Sequence, residues 1–406
     1  MNCSTRCSTP HGSLPAHRTA RTHAAKTLLG ALACAAVLGG APARGQLKVP
    51  QHYPTIQTAI DAAPTGATIT VAPGSYEEQI VVAGKSLRLV GLPGATIVAP
   101  AHLEQTLLPL SFRRVVLGML HGDLEISGFA FDGGRVGDQN QYLTGIHLVA
   151  GGGWVHDCSF TGFRSAALLP SDDSVAVLNW NPLSEGVGIV DVAVTTCVFA
   201  DNFVSIALKG DDDNPNVTLA RVFAAYNTIT GLGPTPLVNQ FGIRVLYGAT
   251  GVVLGNTVTD HTYLGTDTFA VGILLGVAQP GQPLVLPRIL CADNVVQRCN
   301  SGIAALFCEE ALISGNAVSG GPFGFNGIAV SGENNSLVAN DIDMSSSILP
   351  VNSGVGLLGL EFGGPLGYGI ATGTKVLANL ITGAEVPVLQ QTGVTGTVLR
   401  GNRIRP

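Results

Sequence analysis

The chain is poor in charged and aromatic residues. Of its 406 residues, 12% are charged and 6% are aromatic, with two tryptophans and three methionines. Globular domains usually carry about 25% charged residues. The long charged side chains that cover exposed helices are therefore scarce, which argues against an all-helical protein. Apolar residues, at 46%, and glycine, at 53 residues, are abundant instead, as is typical of strands joined by tight turns.

The charge balance is acidic. The chain has 27 acidic and 21 basic residues, a net charge of −6. An acidic protein lacks the broad basic surface that binds nucleic acid, so we expect no nucleic-acid partner. An anionic ligand held by a few local cations stays compatible with this balance.

Residues 1–43 have the pattern of a cleavable signal peptide. Basic residues up to Lys26 precede an apolar run at 27–40 and the small-residue cleavage site Ala41-Pro42-Ala43, and no acidic residue interrupts them. The run is too short to span a bilayer of about 30 Å. We expect a mature chain from Arg44, secreted or periplasmic, without stable membrane insertion.

Five cysteines remain after cleavage: Cys158, Cys197, Cys291, Cys299 and Cys308. An odd number in a chain of this length does not form a disulfide scaffold, and their spacing matches no zinc motif. We interpret them as small buried side chains.

Two short patterns alternate along the chain. One is a strand-like run that ends in Asn at a turn, with Phe129, Cys158 and Cys197 in the equivalent place earlier. The other is Gly-Ile followed by alternating residues. The Asn series is Asn227, Asn256, Asn294, Asn316, Asn340, Asn379 and Asn402. The second series begins at Gly145, Gly242, Gly272, Gly302 and Gly327, with Ser165 and Ser205 as variants. Strict alternation predicts one coil per repeat in a solenoid of parallel strands.

The repeated Asn predicts a ladder. An Asn at the same turn of every coil can donate its amide to the next coil and satisfy backbone groups where water is scarce. We expect such a ladder to stabilise the fold, and we expect Asn140, outside the series, to be exposed.

The front of the mature chain carries a family resemblance. Residues 54–63 form an amphipathic helical pattern capped by Thr55, followed by strand patterns at 66–76 and 87–91. Residues 49–92 resemble the N-terminal cap and first coils of the pectin lyase-like superfamily. The resemblance implies a single-stranded right-handed parallel β-helix of about ten coils (PbH1 repeats) over residues 44–406, with a short N-terminal capping helix.

The resemblance fixes no catalytic residue. The pectin methylesterase motifs are absent, and of the polygalacturonase motifs only Gly210-Asp211-Asp212-Asp213 is reminiscent. Beyond these motifs the chain resembles the loosely defined bacterial secreted β-helix repeat proteins, a group that includes uronate lyases, epimerases and proteins without known catalysis.

Alternation within the Gly-Ile strands identifies outward positions. His147 and Arg244 should occupy the first outward position and Lys209 the second, whereas Ala167 and Leu169 should fill these positions in the coil after His147. Strands about 4.8 Å apart would place His147 and Arg244 roughly 14 Å apart, with Lys209 between them. We predict that His147, Lys209 and Arg244 are catalytic, with Lys209 or Arg244 as a base.

Acidic turns follow two of these strands. Asp172 and Asp173 lie in one turn, and Asp211, Asp212 and Asp213 in another. Carboxylates at this density can bind Ca²⁺, shift one another's pKa so that one acts as an acid, or point into water. We assign these five residues as the candidate metal site.

Two weaker candidates lie in predicted loops. Asp132 and Arg135, with Asp138 nearby, precede the first Gly-Ile strand, and Asp260 and His261 precede Gly272. We assign Asp132, Arg135, Asp260 and His261 to substrate binding.

Two functions remain open. The first is an enzyme, expected to be a monomer, that acts on an acidic, uronate-containing polysaccharide as a lyase, epimerase or hydrolase. In a lyase, Ca²⁺ would help to acidify the proton beside the uronate carboxyl, and in a hydrolase two aspartates would act as acid and base. The second is a non-catalytic extracellular surface or carbohydrate-binding scaffold.

Overall fold

The computed structural model describes residues 47–105, 112–169, 173–213, 217–265, 270–276, 288–359 and 369–406. The predicted signal peptide, residues 1–43, lies outside this part of the chain. Among the described residues, no helix is long and apolar enough to cross a membrane.

The chain winds through three parallel sheets, named A, B and C in the order in which each coil visits them. Sheet A contains Leu47–Val49, Ala67–Val71, Leu87–Gly91, Asp123–Ser127, Gly152–His156, Val190–Thr195, Ala220–Ala225, Ala249–Leu254, Ile289–Ala292, Leu312–Ser314, Ser336–Val338, Lys375–Leu377 and Val398–Arg400. Sheet B contains Gly74–Glu77, Ala95–Val98, Ala130–Asp132, Ser159–Thr161, Val198–Ala200, Thr228–Thr235, Thr257–Tyr263, Val295–Cys299, Ala317–Gly320, Asp341–Asp343, Leu380–Thr382 and Arg403–Arg405. Sheet C contains Ile80–Ala83, Arg114–Leu120, Leu143–Val149, Val175–Trp180, Val204–Lys209, Phe241–Leu246, Val271–Leu275, Ser301–Glu309, Asn326–Glu333, Ser353–Leu357 and Val386–Gln390.

This topology is the predicted right-handed parallel β-helix. In the described part of the chain the sheets have 13, 12 and 11 strands, slightly more than the ten coils expected, because short strands before and after the repeat patterns also join them. Each strand pairs with the equivalent strand of the next coil, as Ile146 pairs with Val177 and Val177 with Ile206. All three side chains are fully buried, because alternate residues of every strand point into the core.

A short helix, α1, spans Ile56–Ala62 at the first coils. The Thr55 hydroxyl accepts a hydrogen bond from the Thr58 backbone N–H, and the Thr58 hydroxyl caps the Thr55 N–H in return. Ile56, Ala59 and Ile60 are buried, so the apolar face of α1 covers the end of the core. The predicted capping helix is thus confirmed, and it shields strand edges that would otherwise be open.

The Asn ladder runs along the corner between sheets A and B. The side-chain amide of Asn256 donates to Oδ1 of Asn294 at 2.9 Å, and the Asn294 amide donates to Oδ1 of Asn316 at the same distance. The bonds continue through Asn340 and Asn379 to Asn402. The ladder predicted from the sequence is therefore confirmed.

Cysteines continue this corner toward the N-terminus. Cys197 donates its thiol toward Val155 O, and its backbone N–H donates to Oδ1 of Asn227, the first Asn of the ladder. All five cysteines of the described chain are buried and unbonded to one another, as expected of small interior side chains.

Asn140 differs from its prediction. It is 1% exposed, its Oδ1 accepts from Leu103 N–H, and its amide donates to Ala101 O and Val136 O. Asn140 lies between the segment at 99–105 and the turn before sheet C. The contact between these two segments is not part of the repeat, so the repeat pattern gives no sign that Asn140 is buried.

Candidate functional site

The predicted outward positions form two rows on the outer face of sheet C. His147 and Arg244 share one row, three strands apart, as the sequence predicts. Lys209 lies in the neighbouring row and pairs with Leu246. The three side chains therefore project from the same face.

One strand of this face was wrongly located. The strand after His147 is Val175–Trp180, so Leu178 and Trp180 occupy the positions that we assigned to Ala167 and Leu169. Residues 165–169 belong to the connection before this strand. Ser165-Ala166 resembles the Gly-Ile pairs in the sequence, but the alternating strand begins ten residues after Ser165, at Val175.

The outer face of sheet C is also more buried than predicted. His147 is 1% exposed, and the side chains of Lys209 and Arg244 are 16% and 17% exposed. The reason is a second apolar cluster on this face, built from outward residues and from side chains of the connections. It comprises Val175, Leu178, Phe203, Val204, Ala207, Val238, Phe241, Leu246, Val271, Leu274, Ala304, Leu306, Ala329 and Leu358.

Asp173 links two arginines on this face. Arg113 Nη2 donates to Asp173 Oδ2 at 2.7 Å, and Arg244 Nη1 donates to Asp173 Oδ1 at 3.3 Å. Burial alone would raise the pKa of Asp173, but the two guanidinium groups outweigh it and hold that pKa below its ordinary value. The Arg244 guanidinium lies 3.8 Å from the Phe241 ring centroid, which fixes its position.

Lys209 lies between aromatic rings. Its Nζ donates to Asp212 Oδ2 at 2.7 Å and is 5.9 Å from the ring centroids of both Trp180 and Tyr247. Burial lowers the pKa of Lys209, and although the Asp212 carboxylate opposes this effect, the net direction is downward. A lysine with a lowered pKa loses a proton more readily than an exposed one.

The surroundings of His147 favour its neutral imidazole form. Burial lowers its pKa well below the ordinary value, and the charges of Arg113 and Lys209 act in the same direction. Among the described residues, neither ring nitrogen has a hydrogen-bond partner. The ring therefore offers a free lone pair next to cationic groups.

Unpartnered polar atoms concentrate in this cluster. Among the described residues, eleven buried side-chain nitrogen or oxygen atoms lack a partner. Five of them belong to the cluster: both ring nitrogens of His147, Trp180 Nε1, Asp212 Oδ1 and Arg244 Nε. Buried polar atoms without partners are costly, so their concentration at one place makes this cluster the candidate functional site. We call Arg113, His147, Asp173, Trp180, Lys209, Asp212, Arg244 and Tyr247 the cation cluster.

The predicted Ca²⁺ ligands are not grouped around a common position for a metal ion. Asp173 and Asp212 bind the arginines and Lys209, and Asp211 accepts the backbone N–H groups of Leu183 and Asp213. Within the described ranges no group of three or more acidic, His or Cys side chains is arranged to hold a metal, and Asp172 lies outside them. Asp173, Asp211 and Asp212 already face positively charged or N–H donors, so these three carboxylates do not fit Ca²⁺ as they are arranged here.

Asp132 and Arg135 lie elsewhere. Asp132 ends the sheet B strand Ala130–Asp132 and accepts the Gly134 N–H at 2.8 Å. Arg135 Nε donates to Asp201 at 2.7 Å, and Asp138 accepts the Ala166 N–H. These residues stabilise the corner that follows sheet B and are not part of the cation cluster.

Asp260 and His261 are in a strand and not in a loop. Both lie in Thr257–Tyr263 of sheet B, where Asp260 forms two hydrogen bonds with Arg298, at 2.6 and 2.7 Å. His261 is fully buried, and burial lowers its pKa to about 4. The strand extends past an irregularity in its pairing, which the sequence pattern did not indicate.

Sequence reasoning missed Arg113 and the aromatic residues. Arg113 immediately precedes the strand Arg114–Leu120, which we had not assigned, although its alternation of apolar residues was a usable signal. Trp180 would have been found by placing the strand at Val175. No pattern indicated that Asp173 pairs with Arg113, 60 residues earlier.

Comparison with known proteins identifies the fold. No family model matches the chain, and a search of curated proteins finds no match. Among solved structures, the mannuronan C-5 epimerase AlgE4 A-module of Azotobacter vinelandii is similar, with a TM-score of 0.53 and 13% identity over 86% of this chain and 92% of that one. The Dettilon tailspike protein has a TM-score of 0.61 and 16% identity over 89% of this chain and 68% of that one. The chain thus has the fold of a right-handed parallel β-helix.

Proposed function

We propose that the protein acts on an acidic polysaccharide at the cation cluster. The observation that carries this proposal is the concentration of five unpartnered, buried polar atoms among three cationic side chains and two aromatic rings. The free N–H groups of Trp180 and Arg244 would donate to sugar oxygens. Asp212 Oδ1 would accept from a hydroxyl.

The charges of the cluster suit uronate carboxylates. Arg113, Lys209 and Arg244 outnumber Asp173 and Asp212 by one, in a chain whose net charge is −6. Planar guanidinium groups bind carboxylates through two parallel hydrogen bonds. The rows of sheet C run along the helix axis, so successive sugars of a polymer could contact successive coils. The similar structures include a mannuronan epimerase by name, which is consistent with this substrate class.

Proton abstraction is the chemistry that the groups support best. A base would remove the proton from the carbon beside the uronate carboxyl, and the guanidinium groups would stabilise the negative charge that develops on that carboxyl. Lys209, whose pKa is lowered and whose side chain is 16% exposed, is the first base candidate. His147, whose pKa is also lowered, is the second, and because it is 1% exposed it would have to be uncovered when the substrate binds. In a lyase the electron pair then expels the neighbouring glycosidic oxygen, which takes a proton. In an epimerase the carbon is protonated again from the opposite face.

Hydrolysis by two aspartates is less well supported. A catalytic acid needs a carboxyl that stays protonated near neutral pH, whereas the arginines hold the pKa of Asp173 below its ordinary value.

The second candidate function is a non-catalytic carbohydrate-binding scaffold, which the aromatic rings at Lys209 also favour. In either case we propose a secreted or periplasmic monomer whose signal peptide is residues 1–43.

The test is incubation of the purified mature protein with pectate and alginate. Rising ultraviolet absorbance identifies unsaturated products of a lyase, deuterium uptake from D₂O without cleavage identifies an epimerase, and new reducing ends without absorbance identify a hydrolase. His147→Ala and Lys209→Ala should each lower turnover by about two to four orders of magnitude if the residue is the base. Arg221→Ala is the matched control, because Arg221 is an exposed residue of sheet A paired with Asp191. Binding of a polyuronide without any product would favour the scaffold function.

A further inference from the structure

A flat aromatic surface lies on sheet A, away from the cation cluster. Trp154 points outward from Gly152–His156 and is 45% exposed. Its ring stacks on the His156 ring with the centroids 4.0 Å apart and 28° between the planes. The indole N–H donates to Thr195 Oγ1 at 2.8 Å. One face of the indole thus rests on His156, and the opposite face is held toward solvent in one orientation.

The residues beneath Trp154 are fixed in turn. His156 Nδ1 donates to Asp157 Oδ2 at 2.7 Å, and its Nε2 lies 3.5 Å from Glu125 Oε1. Glu125 also pairs with Arg88 at 2.8 Å. This network positions the indole before any ligand arrives, so little conformational entropy is lost on binding.

A shallow concavity of about 370 Å³ adjoins this platform at Asp157. Ser159 and Thr196 contribute hydroxyl groups to its lining, and Phe129 and Val198 contribute apolar surface. Asp157 is 64% exposed, and its pKa lies below the ordinary value because His156 and Thr196 donate hydrogen bonds to it. The concavity therefore offers an ionised acceptor, hydroxyls and an apolar floor close to a flat ring. We call Trp154, His156, Asp157 and the concavity the Trp154 surface.

We propose that the Trp154 surface binds a short chain of uncharged pyranose sugars. The C–H groups on one face of a pyranose form a flat apolar patch that matches the free indole face, and its hydroxyls are donors for Asp157 and Glu125. The acidic side chains of Asp157 and Glu125 outnumber the basic side chain of Arg88, so an anionic sugar is disfavoured here, in contrast to the cation cluster. The site therefore binds a different class of sugar from the one proposed for sheet C, and this inference does not depend on that function.

The direction of the bound sugar chain follows from the row of outward residues on sheet A that contains Trp154. Beyond Trp154 come Ala193 and then Phe223, on successive strands of sheet A. The small side chain of Ala193 leaves the face of the sheet open, and half-buried Phe223 lies two strands, or about 10 Å, from Trp154. The sugar chain thus runs along the helix axis over Ala193.

The two tryptophans of the protein separate the two sites. Trp180 belongs to the cation cluster and Trp154 to the surface on sheet A, so Trp180→Phe leaves a fluorophore that reports on the Trp154 surface alone. Mannohexaose, cellohexaose, xylohexaose and hexagalacturonate are titrated into this variant up to about 10 mM, above the 1 mM Kd of weak binding. We expect a saturable change in fluorescence with at least one neutral hexasaccharide and none with hexagalacturonate.

Isothermal titration calorimetry with the neutral hexasaccharide that binds then compares variants of the Trp154 surface. Trp154→Ala should weaken binding at least tenfold, and Ala193→Arg, which keeps the indole but obstructs the row, should weaken it similarly. Leu312→Ala, an exposed apolar residue of the same row, should bind as wild type does. The absence of a saturable response to all three neutral sugars, an equal response to hexagalacturonate, or unchanged binding by the folded Ala193→Arg variant would overturn the proposal. These outcomes do not involve turnover, so they leave the proposed function of the cation cluster unaffected.

Discussion

His147 and Arg244 lie in one outward row of sheet C, three strands apart, a separation of about 14 Å along the helix axis. Between them Lys209 projects from the adjacent row. Asp173 links Arg113 to Arg244. A surface that sequence alternation predicts as exposed is thus a largely buried cluster with ion pairs at Asp173 and Asp212, and its mutants should differ in stability from those of exposed residues.

Arg244→Ala should destabilise the fold by about 1 to 3 kcal/mol. The change removes one of the two partners of Asp173 and the guanidinium packed 3.8 Å from the Phe241 centroid, both in a partly buried setting. Arg221→Ala, in an exposed pair, should change stability by less than about 0.5 kcal/mol. Denaturant unfolding of both variants tests this, and equal values would mean that the burial of Arg244 contributes nothing.

Asn316→Leu should lower the free energy of unfolding by about 1 to 3 kcal/mol, because Asn294 would lose an acceptor and the Cys291 carbonyl a donor. Asn140 is unsuitable as the control because it is itself buried and bonded. Gln139→Leu, which removes an exposed amide next to it, replaces it. If thermal unfolding shows the same midpoint for both variants, the ladder does not stabilise the protein.

Stability should fall between about pH 6.5 and pH 4 through His261. Burial lowers the pKa of this residue to about 4, whereas the unfolded chain has the ordinary value of about 6.5. Between these values the unfolded state binds a proton that the folded state does not, so stability present above pH 6.5 is lost as the pH falls, by up to about 3 kcal/mol. His261→Leu should flatten this part of the profile of unfolding free energy against pH. His102→Leu, at an exposed histidine, is the control. A His261→Leu profile parallel to that of wild type would contradict the assignment of this pH dependence to His261.

Melting temperatures in Ca²⁺ and in chelator should coincide. Asp173, Asp211 and Asp212 already accept hydrogen bonds from arginine, backbone and lysine donors, so a cation would have to displace these donors. A stabilising site would contribute about 2.7 kcal/mol at a hundredfold excess over its Kd. A clear rise in melting temperature with Ca²⁺ that disappears in Asp211→Asn would show that these residues do bind the ion.

The sequence by itself determined the coil. Alternation of period two fixes which side chains enter the core, and the Asn at each turn fixes where coils stack, so the rows that contain His147 and Arg244 followed without a structure. Both signals are local, since they depend on the two-fold pleat and on hydrogen bonds between equivalent positions of adjacent coils.

Only the tertiary structure decided how these rows are covered and paired. The connections between sheets vary in length and carry no repeat, so nothing in the pattern placed Asp173 between Arg113 and Arg244, which are 60 residues before it and 71 after it. The same holds for the burial of His147 under the second apolar cluster and for the strand that begins at Val175. These contacts depend on which side chains the irregular connections bring to the sheet, and that is a property of packing in three dimensions.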